Sequence, residues 1–71
     1  MCVVALKSMT YAIKAQRALN EVLITSEIIR LEPHMTSKGC AYGLKFNCLN
    51  LNLIHDIFRK KSIKYSEIIR L

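Results

Sequence analysis

The sequence predicts an α+β domain of the ferredoxin-like, split βαβ type, with the order βαββαβ, a four-stranded antiparallel sheet and two helices on one face. Two observations predict it. The hexapeptide Ser-Glu-Ile-Ile-Arg-Leu occurs at residues 26–31 and again at residues 66–71. The same offset aligns Val4 with Leu44 and Ala18 with Phe58, so the two halves of the chain are in register.

The first half predicts a strand, a helix and a second strand. Residues 2–6 are apolar and rich in β-branched side chains, which is typical of a central strand. Ser8 or Thr10 is placed to cap the following helix. Residues 26–31 then form the second strand. One face of the helix carries the apolar positions, namely Tyr11, Ala12, Ala15, Ala18, Leu19 and Val22.

The second half begins with the only long loop, residues 32–39, and repeats the same order. Pro33 lacks a backbone donor and disfavours continued pairing. Gly39 permits a backbone conformation that other residues resist. The third strand is predicted over residues 40–46. In this topology we expect the first and third strands to be central and parallel, with the two repeat strands at the edges of the sheet.

The second helix follows a cap at Asn47 or Asn50. Asp56 and Lys60 are four residues apart in the order that favours an ion pair on a helix. The last strand is predicted over residues 65–71. The apolar face of this helix consists of Leu51, Ile54, Ile57 and Phe58.

A chain of 71 residues is expected to form a single domain, residues 1–71. Its hydrophobic content of 52% is high for that size. Long apolar edge strands invite pairing with another chain, so we expect a homodimer. No apolar run approaches the roughly 18–20 residues of a membrane-spanning helix. Residues 1–6 are too short for a signal peptide, and we therefore expect a cytoplasmic protein without membrane contact.

The three cysteines are an odd number, and none forms a C-x-x-C pair. We therefore predict neither a disulfide framework nor a zinc site, and reduced thiols throughout. Cys48 lies at the start of the second helix and is interpreted as a packing residue. A site built from Cys2, His34 and Cys40 matches no standard ligand spacing, so no metal and no cofactor is expected.

Cys40 is the candidate reactive residue. It shares the alternation of Tyr42, which should face the helices, but it opens its strand and should lie at the rim of the sheet. We expect Cys2 at the same end of the neighbouring strand. That end should carry the helix C-termini, whose dipoles disfavour a thiolate. Activation would come from Lys38, from the basic end of the second helix, or from backbone donors freed by Gly39. The alternative is a buried packing cysteine.

The net charge of +6 at pH 7 favours acidic partners or serves solubility alone. RNA-recognition modules share this element order but need aromatic side chains on the open sheet face. If Arg30 and Arg70 lie there, the face suits a dimer contact or an anionic ligand, and nucleic acid is not an expected partner. The residues predicted on that face include no aromatic side chain: Val3, Ala5, Ala41, Gly43 and Lys45.

The chain has no constellation expected of a stand-alone enzyme. It lacks a Gly-rich phosphate loop, a nucleophile elbow and a pair of neighbouring carboxylates. His34 and His55 are expected to be solvated, with no acidic residue placed to orient His34. A carrier or binding protein fits the composition better than an enzyme.

Two segments carry a family resemblance. Ser8 to Leu19 (S-M-T-Y-A-I-K-A-Q-R-A-L) and Lys38 to Phe46 (K-G-C-A-Y-G-L-K-F) resemble small bacterial proteins described as selenium/sulfur carrier-like. The most specific part is a cysteine that opens an apolar strand ending in a basic residue and Phe. The family has a glycine after this cysteine, where the chain has Ala41. The glycine turn that usually follows the first helix is also missing around residues 21–23.

The resemblance implies one domain that covers nearly the whole chain and carries sulfur or selenium. Cys40 would take the element from a donor protein as a persulfide-type adduct and pass it to an acceptor. Lys38 would stabilise the anionic adduct, and Gly39 would leave room for the partner. The alternative is a non-catalytic ferredoxin-like dimer, or an anionic-ligand-binding module, in which all three thiols are structural.

Overall fold

The computed structural model describes residues 1–71 and contains one four-stranded sheet with two helices on one face. The strands lie in the order β2-β3-β1-β4, and every neighbouring pair is antiparallel. The predicted α+β fold with the order βαββαβ is confirmed. No helix has the length and apolar character needed to cross a membrane. The elements are β1 (Cys2–Leu6), α1 (Met9–Glu21), β2 (Glu27–Arg30), β3 (Tyr42–Phe46), α2 (Leu51–Lys60) and β4 (Glu67–Arg70).

The two central strands run antiparallel, so the expectation of a parallel pair was wrong. Cys2 lies opposite Phe46, and Leu6 lies opposite Tyr42. The helical crossover makes β1 and β2 parallel, and the loop between β2 and β3 then reverses the chain. Consequently Cys2 lies at the far end of the sheet from Cys40, not beside it.

The larger core lies between the sheet and the helices. Small alanines let α1 approach the sheet closely. Tyr11 and Val22, predicted on this buried face, are instead 44% and 48% exposed. Both helices present one buried face, formed by Ala12, Ala15, Ala18 and Leu19 in α1 and by Ile54, Ile57 and Phe58 in α2.

Both helices end in the same hydrogen-bonded cap. After α1, Leu23 and Ile24 donate their N–H groups to the carbonyls of Asn20 and Leu19, which is a Schellman motif. The motif needs a left-handed residue, and Leu23 supplies it with φ of 62°. The same arrangement after α2 puts Ser62 at φ of 55°. The glycine absent from the sequence is therefore replaced by residues held in a conformation that favours glycine.

The helix N-termini and the predicted ion pair are also defined. Ser8 caps α1, because its hydroxyl accepts the Tyr11 N–H. Asn47 caps the short turn Cys48–Asn50 that precedes α2. Asp56 pairs with Arg59 rather than with Lys60, so the predicted partner was wrong by one residue.

Candidate functional site

Cys40 lies on the sheet face opposite the helices. β3 begins at Tyr42, so Cys40 precedes the strand and does not follow its alternation. Its side chain packs with Val3, Ala5 and Leu31 in a second, smaller core, and the residue is 5% exposed. The expectation that Cys40 shares the helix-facing side with Tyr42 was therefore wrong.

The loop between β2 and β3 covers this smaller core. At its base the Leu31 N–H donates to the Ala41 carbonyl over 2.8 Å. Met35 packs on the core from above. Ser37 then crosses to the opposite edge of the sheet, where its N–H and hydroxyl bond the Glu67 carboxylate over 3.2 and 2.7 Å. The face expected to be open is thus closed over Val3 and Ala5, which are fully buried.

Gly43 makes room for this cover. A Cβ atom built on Gly43 would lie 2.5 Å from Val3 Cγ1 and 3.1 Å from Leu31 Cδ2. The first contact is shorter than a packed interior allows, and the second would require Leu31 to shift. The absence of a side chain at Gly43 therefore lets Leu31 seat directly on the sheet beside Cys40.

A surface cleft of about 470 Å³ reaches Cys40 from the rim of the sheet. Gly39 lines this cleft, and its φ of 73° is a left-handed conformation that favours glycine, as the sequence predicted. A Cβ atom built there would meet nothing within 4 Å. Lys38 is exposed beside it, and its N–H bonds the Thr36 hydroxyl over 3.3 Å. The cleft is lined by Arg30, Leu31, Glu32, Pro33, Thr36, Gly39, Cys40 and Ala41.

Cys2 and Cys48 form a disulfide, with their Cα atoms 5.1 Å apart. The expectation of three reduced thiols and of no disulfide was therefore wrong. The sequence pattern missed it because the two residues are 46 positions apart and meet only when β1 lies against the end of β3. Cys40 is the one free cysteine. The predicted neighbourhood of Cys2 and Cys40 is excluded, because β1 alone separates their ends of the sheet by roughly 14 Å.

The end of the sheet near Cys40 carries one helix N-terminus and one helix C-terminus. Leu6 lies opposite Tyr42, and α1 starts at Met9, so that end carries the N-terminus of α1 as well as the C-terminus of α2. The expectation of helix C-termini alone was wrong. Because Cys40 lies on the other face of the sheet, the sheet itself stands between Cys40 and both helices.

The arginines of the two repeats do not share the Cys40 face. The Arg30 guanidinium lies 5.8 Å from the centre of the Tyr42 ring, and Tyr42 packs on the helix-facing core. Arg70 lies opposite Cys2, which belongs to that same core. The predicted basic cluster with Lys45 was therefore wrong, and Ile29 and Ile69 of the repeats pack on the Cys40 face instead.

The histidines make local contacts outside this site. His34 Nδ1 lies 3.5 Å from the Glu32 carboxylate, on exposed side chains, so an acidic neighbour that was not expected is present. His55 is half-buried rather than solvated, with Nδ1 2.9 Å from the Tyr65 hydroxyl. No group of three or more metal-ligating side chains occurs.

Sequence reasoning missed a basic cleft on the helix side. It measures about 440 Å³ between α1 and the residues after α2. Lys61 pairs with Glu21 over 3.4 Å, whereas Lys14 and Arg17 form no ion pair. Their spacing of three residues along one side of α1 was the signal available in the sequence.

The fold and the site define a small α+β domain with one free thiol beside a surface cleft. A family model described as "Putative Se/S carrier protein-like" matches residues 1–70. The chain belongs to this family, as the resemblance at Ser8–Leu19 and Lys38–Phe46 indicated. A carrier family implies transfer partners in general. No curated protein and no solved structure matches the chain significantly.

Proposed function

We propose that this protein carries sulfur or selenium on Cys40. The observation that carries the proposal is that Cys40 is the only cysteine outside a disulfide and lines a surface cleft. Membership of the Se/S carrier-like family supports it. A carrier needs a thiol and a surface for its partners, and it needs little further catalytic machinery.

The transfer step is a thiol exchange at sulfur. The Cys40 thiolate attacks the outer sulfur of a donor persulfide, and a new bond forms between Cys40 Sγ and that sulfur. The sulfur–sulfur bond of the donor breaks, and the donor thiolate leaves with the electron pair and takes up a proton. The acceptor thiol later attacks the carried sulfur in the same way, which regenerates the Cys40 thiol. No external oxidant or reductant is consumed.

Access to Cys40 requires the covering loop to move. Cys40 is only 5% exposed, so the residues around it shield the thiol. The side of the loop away from β2 is held by the Ser37 bonds to Glu67 and by Met35 packing. A donor that displaces these contacts exposes the thiol, and loops held by few contacts open at low free energy.

Lys38 and Gly39 have supporting roles in this proposal. Lys38 is exposed next to the cleft, where its ammonium group stabilises the anionic adduct once the loop has moved. Gly39 bears no side chain at the exposed rim and leaves room for the partner. The partners are a persulfide donor protein and an acceptor protein, and we place all three in the cytoplasm.

Intact-mass analysis tests the proposal. The oxidised protein, with Cys2 and Cys48 still joined, is incubated with a cysteine desulfurase and cysteine. We expect a gain of one sulfur atom in the wild type and none in Cys40→Ser. Lys38→Ala should reduce the yield, whereas Lys64→Ala should not, because Lys38 adjoins the lining residue Gly39 and Lys64 lies beside Lys7 and Tyr11 at a different pocket. Equal sulfur on Cys40→Ser would overturn the assignment.

A second candidate function is the binding of an anion or an acidic partner. The basic cleft favours it, because Lys14 and Arg17 line it without forming an ion pair, while Glu21, the one acidic residue there, pairs with Lys61. Titration with pyrophosphate should show salt-dependent binding that Lys14→Ala/Arg17→Ala removes and Lys38→Ala/Lys45→Ala preserves. Equal affinity in both double variants would refute this site.

Sedimentation tests the homodimer, for which the edge strands β2 and β4 are the available surfaces.

A further inference from the structure

The cysteines of the disulfide differ sharply in exposure. Cys2 lies in β1 and is fully buried, whereas Cys48 is half-buried at the first position of the turn that leads into α2. We propose that the reduced pair is a second chalcogen site. Cys48 takes a sulfane sulfur, and Cys2 resolves the adduct and releases the sulfur as sulfide. This proposal rests on the proposed carrier function, because it supplies a discharge step for the same cargo.

Cys48 is the receiving thiol because a donor can reach it. It stands just before the N-terminus of α2, a helix of ten residues with no acidic side chain in its first turn. The positive end of a helix dipole favours a thiolate and an anionic adduct at that place. Cys2 has no exposed surface, so its sulfur meets no external reagent and can react only with its neighbour.

The geometry for the resolving step is present, since the two sulfurs are bonded in this structure. First, the Cys48 thiolate attacks the outer sulfur of a persulfide donor and releases the donor thiolate. Then the Cys2 thiolate attacks Cys48 Sγ and expels hydrosulfide. The two cysteine sulfurs are oxidised to the disulfide, and the sulfane sulfur is reduced to sulfide. A dithiol reductant restores the pair.

Cys40 takes no part in this discharge within one molecule. It lies on the other face of the sheet and at the other end of β1. The cargo must therefore reach Cys48 from a separate donor, either a small persulfide or the Cys40 adduct of a second molecule. The alternative reading is a disulfide that only cross-links β1 to the start of α2.

The test uses the reduced protein in a Cys40→Ser background, kept free of oxygen and supplied with glutathione persulfide. We expect one sulfide released per chain and the loss of both thiols as the disulfide forms. With Cys2→Ser added, we expect Cys48 to retain one extra sulfur atom and sulfide release to fall to the protein-free blank. With Cys48→Ser added, we expect neither a bound sulfur nor sulfide release.

Sulfide release that is unchanged by Cys2→Ser would overturn the proposal, as would disulfide formation without sulfide. The reduced parent lacks the disulfide too, so it is the matched reference for folding by circular dichroism, and Cys2→Ala provides a second variant. A Cys2→Ser/Cys48→Ser protein that keeps Cys40 separates the two ideas. Sulfur loading there supports the carrier role of Cys40, whatever the outcome for the pair.

Discussion

Ser37 bonds both carboxylate oxygens of Glu67, a residue 30 positions further along the chain. Ser37 lies in the loop after β2, and Glu67 opens β4, so the two residues belong to opposite edges of the sheet. The loop therefore crosses from one edge of the sheet to the other on the face that holds Cys40. Together with the packing of Met35, this contact holds the loop over the thiol.

Ser37→Ala should make Cys40 react faster. The change removes the 2.7 Å hydrogen bond to the carboxylate and leaves the backbone bond in place. Loss of a net contribution of about 1 kcal/mol should raise the open fraction of the loop roughly fivefold. The rate of Cys40 alkylation under native conditions measures this fraction. Because the disulfide is intact, Cys40 is the only thiol that reacts.

Thr25→Ala is the control for this experiment. Thr25 is exposed, makes no side-chain hydrogen bond, and lies outside the covering loop. We expect its alkylation rate to equal that of the wild type. An unchanged rate in Ser37→Ala would show that the contact with Glu67 does not hold the loop closed.

Reduction of the Cys2–Cys48 disulfide should lower the free energy of unfolding. The bond closes a loop of 46 residues, for which the chain-entropy relation gives about 4 kcal/mol. Urea denaturation with and without a dithiol reductant measures the difference. The same reductant should leave the stability of Cys2→Ser/Cys48→Ser unchanged. If reduction left the wild-type midpoint in place, the bond would have no stabilising role.

Leu23→Gly should stabilise the protein. Leu23 holds a left-handed conformation with φ of 62°, and its side chain is 93% exposed, so little packing is lost. Relief of that strain is worth about 1 kcal/mol. Thermal unfolding should show a midpoint roughly 4–8 °C higher for a domain of this size.

Leu49→Gly is the matched control, since Leu49 is 91% exposed and its φ is not positive. Glycine there adds only flexibility in the unfolded chain, and the midpoint should not rise. A lower midpoint for Leu23→Gly would contradict the strain argument.

Gly43→Ala should destabilise the protein through overpacking. The added methyl group would press on Val3 Cγ1 and Leu31, and such insertions cost about 1–3 kcal/mol. Gly39→Ala makes a useful comparison, because a methyl group meets nothing there and only the backbone at φ of 73° is strained. We expect Gly43→Ala, and not Gly39→Ala, to be rescued in part when Val3, the nearest neighbour of the added methyl group, is shortened to Ala in the same chain. Failure of that rescue would refute overpacking.

The fold could be predicted because its signals are local or repeated. Residues 2–6 form β1 as expected, and the two copies of Ser-Glu-Ile-Ile-Arg-Leu became the edge strands with Ile28 and Ile68 facing the helices. Alanines spaced along α1 correctly indicated the face that packs on the sheet. Periodicity reports which side of an element is buried, and it needs no knowledge of distant partners.

The site was harder to predict because its geometry depends on contacts between distant residues. The direction of β3 relative to β1 decides which cysteines are neighbours. Hydrophobic periodicity does not report the relative direction of two strands. Cys40 left the strand alternation because pairing stops at Tyr42. The position of the loop over the sheet depends on the contact between Ser37 and Glu67, and no sequence pattern around either residue predicts this contact.

Glu67 belongs to an edge strand that pairs with β1 alone. The loop that covers Cys40 is therefore held by an edge strand. An edge strand separates from the sheet at a lower free-energy cost than a central strand, because it has backbone hydrogen bonds to one neighbour only. In the proposed carrier, a partner that binds β4 would therefore expose the Cys40 thiol without touching the loop. Access to Cys40 would then depend on the strand that holds Glu67 as well as on the loop itself.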